Sequence, residues 1–221
     1  MKINIKINKN INANTDTDTN INTNTNININ INTNINTKYI GKKIIHFHEI
    51  DSTQKEAERR IKNKVAENGE IIIADNQTQG KGTHGREWYT GNNKNIAFSI
   101  ILFPKCNINQ IQNLTILIAE CMVESLRNLY QINIEIKNPN DLVINKLKLG
   151  GILTQITTLN EVVETLIIGV GLNVKEQVFI KELTSIATSL KREFPNIEFS
   201  IKDIINEFCE VFEKEYDKLV K

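Results

Sequence analysis

Two short stretches hold most of the residue types able to handle an anion. The first runs Gln77-Thr78-Gln79-Gly80-Lys81-Gly82-Thr83-His84-Gly85-Arg86-Glu87-Trp88. Glycines at every second or third position let backbone N–H groups turn inward and approach a negative charge closely. Lys81 and Arg86 add positive charge, and Trp88 offers a flat face on which a ring can stack. The spacing matches neither the dinucleotide fingerprint nor the P-loop with its Gly-Lys-Ser/Thr ending, and taken alone it also fits a mobile surface loop. The second stretch is Lys137-Asn138-Pro139-Asn140-Asp141-Leu142, followed by Lys146-Leu147-Lys148-Leu149-Gly150-Gly151-Ile152-Leu153. Pro-Asn-Asp by itself fits a plain turn. Lys137 just before it and Lys148 just after it, beside paired glycines, change that reading. Two lysines converging from strand ends around a carboxylate suit a triphosphate and its Mg²⁺.

The elements that must position these groups alternate between strand and helix. Residues 43–50 read as a strand. Thr53 with Glu56 fits a capping box for a helix running to about residue 68, where Gly69 supplies a left-handed stop. Residues 70–74 read as a short strand, 75–95 as a polar loop, and 96–103 as a strand ended by Pro104. Apolar spacing through Ile111, Leu114, Ile118, Met122 and Leu126 predicts a core helix over 108–130. Strands follow at 132–137, 147–159 and 162–173, with Asn160 marking the turn between the last two. That hairpin makes the sheet mixed or antiparallel rather than a Rossmann sheet. Ser200 with Asp203 caps a final amphipathic helix whose apolar stripe is core. The fold class is α+β.

Composition bounds the rest. The chain has 221 residues, of which 40% are hydrophobic and 24% charged, as expected of a globular protein. Residues 1–37 stand apart as a low-complexity Asn/Ile/Thr segment in which odd positions from Ile3 on are nearly all Ile or Thr. A strand of that length would span ~115 Å at ~3.3 Å per residue, so it reads as a disordered, β-prone tail. It is expected to be dispensable for stability. Taking its three lysines and two aspartates from totals of 27 basic and 26 acidic residues leaves 24 of each for residues 38–221. A neutral body argues against DNA as a partner. No stretch reaches membrane-spanning length, and none resembles a secretory signal, so the expected location is cytoplasmic. Cys106, Cys121 and Cys209 are odd in number and widely spaced, which fits reduced core thiols. His46 and His48 share one face of a strand with no carboxylate partner in view, and read as structural.

In this order the motifs resemble those of the biotin protein ligases over residues 42–215. Ser52-Thr53-Gln54 is similar to the family's Ser-Thr-Asn, and residues 77–88 to its Gln-x-x-Gly-Arg-Gly-Arg-x-Gly-Arg-x-Trp loop. Residues 137–142 are similar to its Lys-Trp-Pro-Asn-Asp, residues 148–153 to its Lys-Leu-Ala-Gly-Ile-Leu, and residues 169–173 to its Gly-x-Gly-x-Asn. The resemblance implies a class II synthetase-like fold with helices on a mixed or antiparallel sheet. It also implies a two-step reaction: biotin and ATP give biotinyl-5′-AMP, and biotin then passes to a lysine of a biotin carboxyl carrier protein. It assigns Lys148, Lys137 and Lys81 to catalysis. Biotin falls to Ser52, Thr53, Gln54, Gln77, Gly80, Lys81, Thr83, Lys148 and Gly151. The nucleotide falls to Thr83, His84, Arg86, Trp88, Asn140, Asp141 and Asn173, with Asp141 also taking Mg²⁺.

The chain departs from the pattern at Lys81 and Thr83, where the family has arginines, and at Asn138, where it has tryptophan. Lysine is a point charge rather than a bidentate fork, and threonine is uncharged. The family's C-terminal SH3-like domain and its repressor-type N-terminal helix-turn-helix have no counterpart in the sequence. A homodimer is compatible with the resemblance but not required by it. Two other readings stay open: a lipoate or octanoate ligase or transferase of the same fold, and a degenerate domain that binds biotin without transferring it.

Overall fold

The computed structural model describes residues 35–91 and 94–220. Among these residues seven strands form one sheet in the order β1-β2-β3-β7-β6-β5-β4. They are β1 Ile44–Ile50, β2 Ile71–Gln77, β3 Ile96–Leu102, β4 Glu135–Lys137, β5 Asp141–Ile144, β6 Leu147–Leu159 and β7 Val162–Leu172. Only β1 and β2 are parallel, joined through helix α1 (Thr53–Lys62); every other neighbouring pair is antiparallel. The expected mixed α+β sheet is therefore observed. Among the described residues no helix is long and apolar enough to cross a membrane.

Period-two alternation divides the sheet's faces. On β3, Ile96, Phe98, Ile100 and Leu102 join the main core, which is closed by α2 (Leu114–Tyr130) and α4 (Ile201–Leu219). Phe98 meets Phe208 of α4 with ring centroids 5.6 Å apart. The opposite face carries a smaller core of Ile45, Phe47, Ile50, Ala57, Ile72, Ala74, Ile101 and Ile167 under α1. Beyond α1 the β3, β7 and β6 strands on that face carry small residues instead.

Several sequence expectations shift. Helix α1 stops at Lys62, with Lys64 left-handed at φ 58°, well before Gly69. Gly69 (φ +82°) is needed for a close crossing: a Cβ there would lie 2.5 Å from the Tyr39 carbonyl oxygen. The segment expected to be one helix over 108–130 is a 3₁₀ turn, Ile108–Ile111, capped by Asn107, and then α2. The segment read as a turn at 139–141 instead leads into a strand, β5, whose hairpin to β6 turns on Asn145 and Lys146, both with positive φ. The Asn160–Glu161 turn has the same left-handed pair, which matches the strands' twist. A short helix, α3 (Leu190–Glu193), precedes α4, and Ser200 caps α4 through the Asp203 N–H as expected. Asp75 lies between the two histidines of β1, 2.6 Å from His46 Nε2 and 2.8 Å from His48 Nδ1, supplying the carboxylate partner that the sequence did not reveal.

The boundary at residue 37 also moves; residues 1–34 of the expected tail lie outside the described residues. Ile35 is 2% exposed and packs in the main core. The Asn36 N–H donates to Glu210, and the buried Glu213 carboxylate accepts from the N–H groups of Lys38, Tyr39 and Ile40 at 2.5, 3.0 and 2.9 Å. The chain is thus tied to α4 before β1 begins. Burying one Ile is worth about 1.5–3 kcal/mol. A chain beginning at residue 38 should therefore melt roughly 3–10 °C below one beginning at residue 35, by calorimetry of the two truncations.

All three cysteines are free and buried. Burial pushes the Cys121 thiol up to about 12, and raises Cys209 and Cys106 as well. A raised thiol pKa keeps the thiolate away at ordinary pH, and the thiolate is the nucleophile. No thiol should react with an aromatic disulfide reagent at pH 8 in the folded protein, and all three should react in denaturant.

Candidate functional site

Register across the sheet builds the site. Lys137 stands opposite Asp141, Asp141 opposite Gly151, Gly151 opposite Gly171, and Gly171 opposite Ala97. Directly opposed residues share a face, so this row crosses five strands on the face away from the main core. The next row is Leu153, Gly169 and Ser99. Gly151, Gly171, Ala97 and Gly169 make a floor almost without side chains, and three larger groups lie on it. The Lys148 ammonium sits over Gly151, 3.5 Å from where a Cβ would be. The Trp88 indole lies on Gly171, with ring carbon Cε2 2.3 Å from the Cβ position, and the Gln54 amide oxygen is 2.6 Å from that of Gly169. Any side chain at 169 or 171 would displace Gln54 or Trp88.

Lys148 is held on three sides. Its ammonium pairs with Asp141 Oδ1 at 2.7 Å, its N–H donates to the Ile186 carbonyl, and its carbonyl accepts from Thr188 N. The adjacent hairpin is closed by Asn140, whose backbone carbonyl accepts from Ile152 N and whose Nδ2 donates to the Ile152 carbonyl. The expected carboxylate between two lysines is half observed. Asp141 holds Lys148, while Lys137, in register beside it, is exposed and outside the cleft lining.

At the other end, the N-terminus of α1 meets the floor. Ser52 is the N-cap residue but makes no capping bond with its side chain. Gln77 of β2 caps the helix instead: its Oε1 accepts from Thr53 N at 2.8 Å and lies 3.2 Å from Thr53 Oγ1. The expected Thr53–Glu56 capping box is thus replaced from another strand. Arg59 and the Ser52 N–H hold the Asp51 carboxyl below the usual carboxylate range, anchoring the residue before the cap. Ser99 Oγ lies 2.9 Å from Thr53 Oγ1 and 3.0 Å from Gln54 Oε1. Three buried polar atoms here have no partner: Ser52 Oγ, Gln54 Nε2 and Trp88 Nε1. Buried polar atoms are normally satisfied, so unpartnered ones clustered in a cleft mark where a ligand's polar groups belong.

The glycine loop forms the roof as a narrow hairpin. Gly82 N donates to the Arg86 carbonyl at 2.7 Å and Trp88 N to the Gly80 carbonyl at 2.9 Å. Lys81 reaches sideways to Glu58 of α1 at 3.3 Å, and Glu58 also accepts from Gln155 of β6. Arg86 donates to Thr83 Oγ1, and both Arg86 and His84 are exposed at the tip. Beneath this roof the cleft has room for only about 40 Å³.

Of the residues expected from sequence, Ser52, Thr53, Gln54, Gln77, Lys81, Thr83, Trp88, Asn140, Lys148 and Gly151 all line this cleft. Gly80 shapes the loop behind it, and Asp141 stands behind Lys148. Lys137, His84 and Arg86 lie at the rim or tip. Asn173 is outside the lining: its Nδ2 donates to the Thr188 carbonyl and its N–H to Leu149, stapling the strand end to the loop that flanks Lys148. Ser99, Glu58 and Gln155 escaped the sequence reading. Ser99 carries one visible signal, a polar residue inside an otherwise apolar strand.

The sequence profile of the Biotin/lipoate A/B protein ligase family matches residues 47–173. The bifunctional ligase/repressor BirA of Bacillus subtilis is 34% identical over 182 residues, covering 81% of this chain and 55% of that one. Human biotin–protein ligase is 33% identical over 144 residues, 62% of this chain and 20% of that protein. The chain spans about half the length of the BirA relative. Among solved structures, the biotin protein ligase of Aquifex aeolicus in complex with biotin and ATP superposes with a TM-score of 0.68 at 26% identity, covering 80% of this chain and 71% of that one. A profile spanning more than half of the sequence, on a cleft built from the same motifs, means that this chain belongs to the biotin/lipoate A/B protein ligase family.

Proposed function

We propose that residues 38–221, together with the anchoring residues from Ile35, form an ATP-dependent biotin protein ligase. In the first step the carboxylate of biotin attacks the α-phosphorus of ATP, forming biotinyl-5′-AMP and releasing pyrophosphate. In the second, the amine of a lysine on a biotin carboxyl carrier protein attacks the anhydride carbonyl, forming an amide and releasing AMP. One observation carries this reading: a single cleft holds an ammonium at one end and unpartnered buried amide and hydroxyl groups at the other. Lys148 lies over Gly151 and Gln54 over Gly169, positions one strand and two residues apart, or about 8 Å. That separation suits a molecule with a carboxylate at one end and a hydrogen-bonding ring at the other.

The same groups argue against octanoate and lipoate. An alkyl chain or dithiolane ring would leave Ser52 Oγ and Gln54 Nε2 unsatisfied, at roughly 1–3 kcal/mol each. A ureido ring offers them both donors and an acceptor.

The residues divide the work. Lys148, steadied by Asp141, neutralises the biotin carboxylate as it nears the phosphate, and Lys81 is placed to join it on leaving Glu58. The loop must lift for biotin to enter and close again over the adenylate, whose anhydride water would hydrolyse. Trp88 then offers its face to adenine, and Asn140 and Thr83 line the nucleotide's side of the cleft. Lys137, His84 and Arg86, standing outside the cleft, can meet only a group that projects from it, as a triphosphate does. Among the described residues no group of three or more His, Cys, Asp or Glu converges on a metal position. Asp141 as a lone carboxylate still fits Mg²⁺, an ion usually held by one or two carboxylates together with substrate phosphates. When bound it would supply charge neutralisation to the triphosphate. Three free thiols and a use of ATP are what a cytoplasmic enzyme would have.

The test is ATP–pyrophosphate exchange with biotin, octanoate and lipoate in parallel. Exchange should depend on biotin, and exchange with octanoate alone would overturn the assignment. Lys148→Ala should keep the melting temperature within a few degrees and lower biotin-dependent exchange by roughly 10²–10³-fold, the usual cost of losing a transition-state charge partner. Near-normal exchange by the folded variant would remove Lys148 from the mechanism.

A further inference from the structure

The segment before β1 is tied to α4 by a series of acceptors. The Glu213 carboxylate accepts from the N–H groups of Lys38, Tyr39 and Ile40, and Glu210 Oε1 accepts from that of Asn36 at 3.0 Å. As residue numbers fall along the segment, its contacts step toward the N-terminus of α4. One turn further in that direction stands Asn206, whose Oδ1 is buried without a hydrogen-bond partner among the described residues. Such an acceptor is costly unless a donor reaches it.

A pocket of about 170 Å³ opens at the same place, walled by Ile44, Ile73, Ile201 and Ile205, with Asn206 at its side. It lies on the main-core face of the sheet, away from the cleft. Ile35 fills the position just before it: a Cβ at Gly41 would lie 2.8 Å from Ile35, 3.2 Å from Ile71 and 3.7 Å from Cys209. Ile73 is two residues beyond Ile71 on β2, and Ile205 is one turn before Cys209 on α4. The groove that holds Ile35 therefore continues into the pocket.

We propose that this pocket seats the chain's own residues 31–34, Ile-Asn-Thr-Asn, which lie outside the described residues. The spacings agree. Four residues of helix, from Glu210 back to Asn206, rise ~6 Å, and two residues of extended chain cover ~6.6 Å. In an extended chain the Asn34 N–H points the same way as that of Asn36, and so reaches Asn206 Oδ1. Thr33 and Ile31 share the face of Ile35 and enter the pocket, while the Asn32 and Asn34 side chains face away. A segment tethered one residue away outcompetes any free peptide for such a seat. None of this rests on the biotin reading.

The test is amide hydrogen exchange of the full chain, read residue by residue against a synthetic peptide of residues 27–40. The Asn34 amide should exchange about tenfold or more slowly than in the peptide, the protection that one hydrogen bond gives. Asn206→Leu should return Asn34 to the peptide rate while Asn36, bonded to Glu210, stays slow. Asn206→Asp, which keeps an acceptor, should leave Asn34 slow, and Asn206→Ala replaces the leucine variant should that one not fold. Thr33→Gly should melt about 2–4 °C below Asn32→Gly, since both loosen the chain alike but only the first empties the pocket. An Asn34 amide that exchanges at the peptide rate in the wild type overturns the proposal, as does protection that survives Asn206→Leu or equal melting of the two glycine variants. Protection that vanishes on dilution from 50 to 1 μM, an arbitrary range of about fiftyfold, would mean that the segment of a second copy is seated instead, and overturns it too.

Discussion

The cleft depends on how closely other groups can approach the backbone of the three adjacent strands β6, β7 and β3. Gly151, Gly171, Ala97 and Gly169 lie next to one another on one face because the strand register puts them there. The gap that they leave is filled by an ammonium, an indole and an amide, each from a different part of the chain. The β5–β6 and β6–β7 registers are set in turn by two-residue hairpin turns with left-handed dihedrals at Asn145–Lys146 and Asn160–Glu161, together with the bulges at Leu142/Val143 and Thr157/Thr158 that shift the pairing before the floor. A slip of one residue would turn Ile152 and Val170 toward the cleft and the glycines into the core. The floor and the hydrophobic core are therefore two consequences of one alignment.

Much of this was legible from residue types. Strong β-branched runs and apolar periodicity located β1, β3, β6, β7 and α4, because these elements are long and their burial is one-sided or complete. The ten cleft-lining residues expected from the motifs do converge. What escaped was whatever depends on contacts between distant segments. Nothing local shows that Gln77, 24 residues on, caps α1 in place of Thr53, or that Asp75 will stand between His46 and His48. Ile35 sits in an alternation that reads as low complexity, and only its contact with α4 and the main core distinguishes it from its neighbours. The β5 strand was hidden because Pro139, Asn140 and Asp141 all favour turns, while the pairing with β6 that overrides them lies beyond the next turn.

The capping exchange has a functional consequence. A serine at an N-cap normally spends its oxygen on the helix, and that bond is worth about 1 kcal/mol. Here Gln77 satisfies the Thr53 N–H, so Ser52 Oγ remains buried and uncommitted beside the floor. Gln54 follows the same pattern, with one end of its amide held by Ser99 and the other left open. Buried groups kept without partners lower the stability of the free protein and are recovered on binding, when a ligand supplies the missing bonds.

That loss is tolerable because the two faces of the sheet do different jobs. The main core under α2 and α4 carries the large apolar side chains, the stacked Phe208 and Phe212 rings, and the Glu213 carboxylate that ties down the chain before β1. The other face gives up side chains at the floor and keeps polar groups unsatisfied above it. Only one residue per strand position separates the two: Val170 packs inward between Gly169 and Gly171, and Ile152 between Gly151 and Leu153. Substitutions on the inward set should act through stability, and those on the outward set through what the cleft can hold, although the residues are neighbours in sequence. The alternation of the strand is what keeps folding and ligand recognition separable in so small a space.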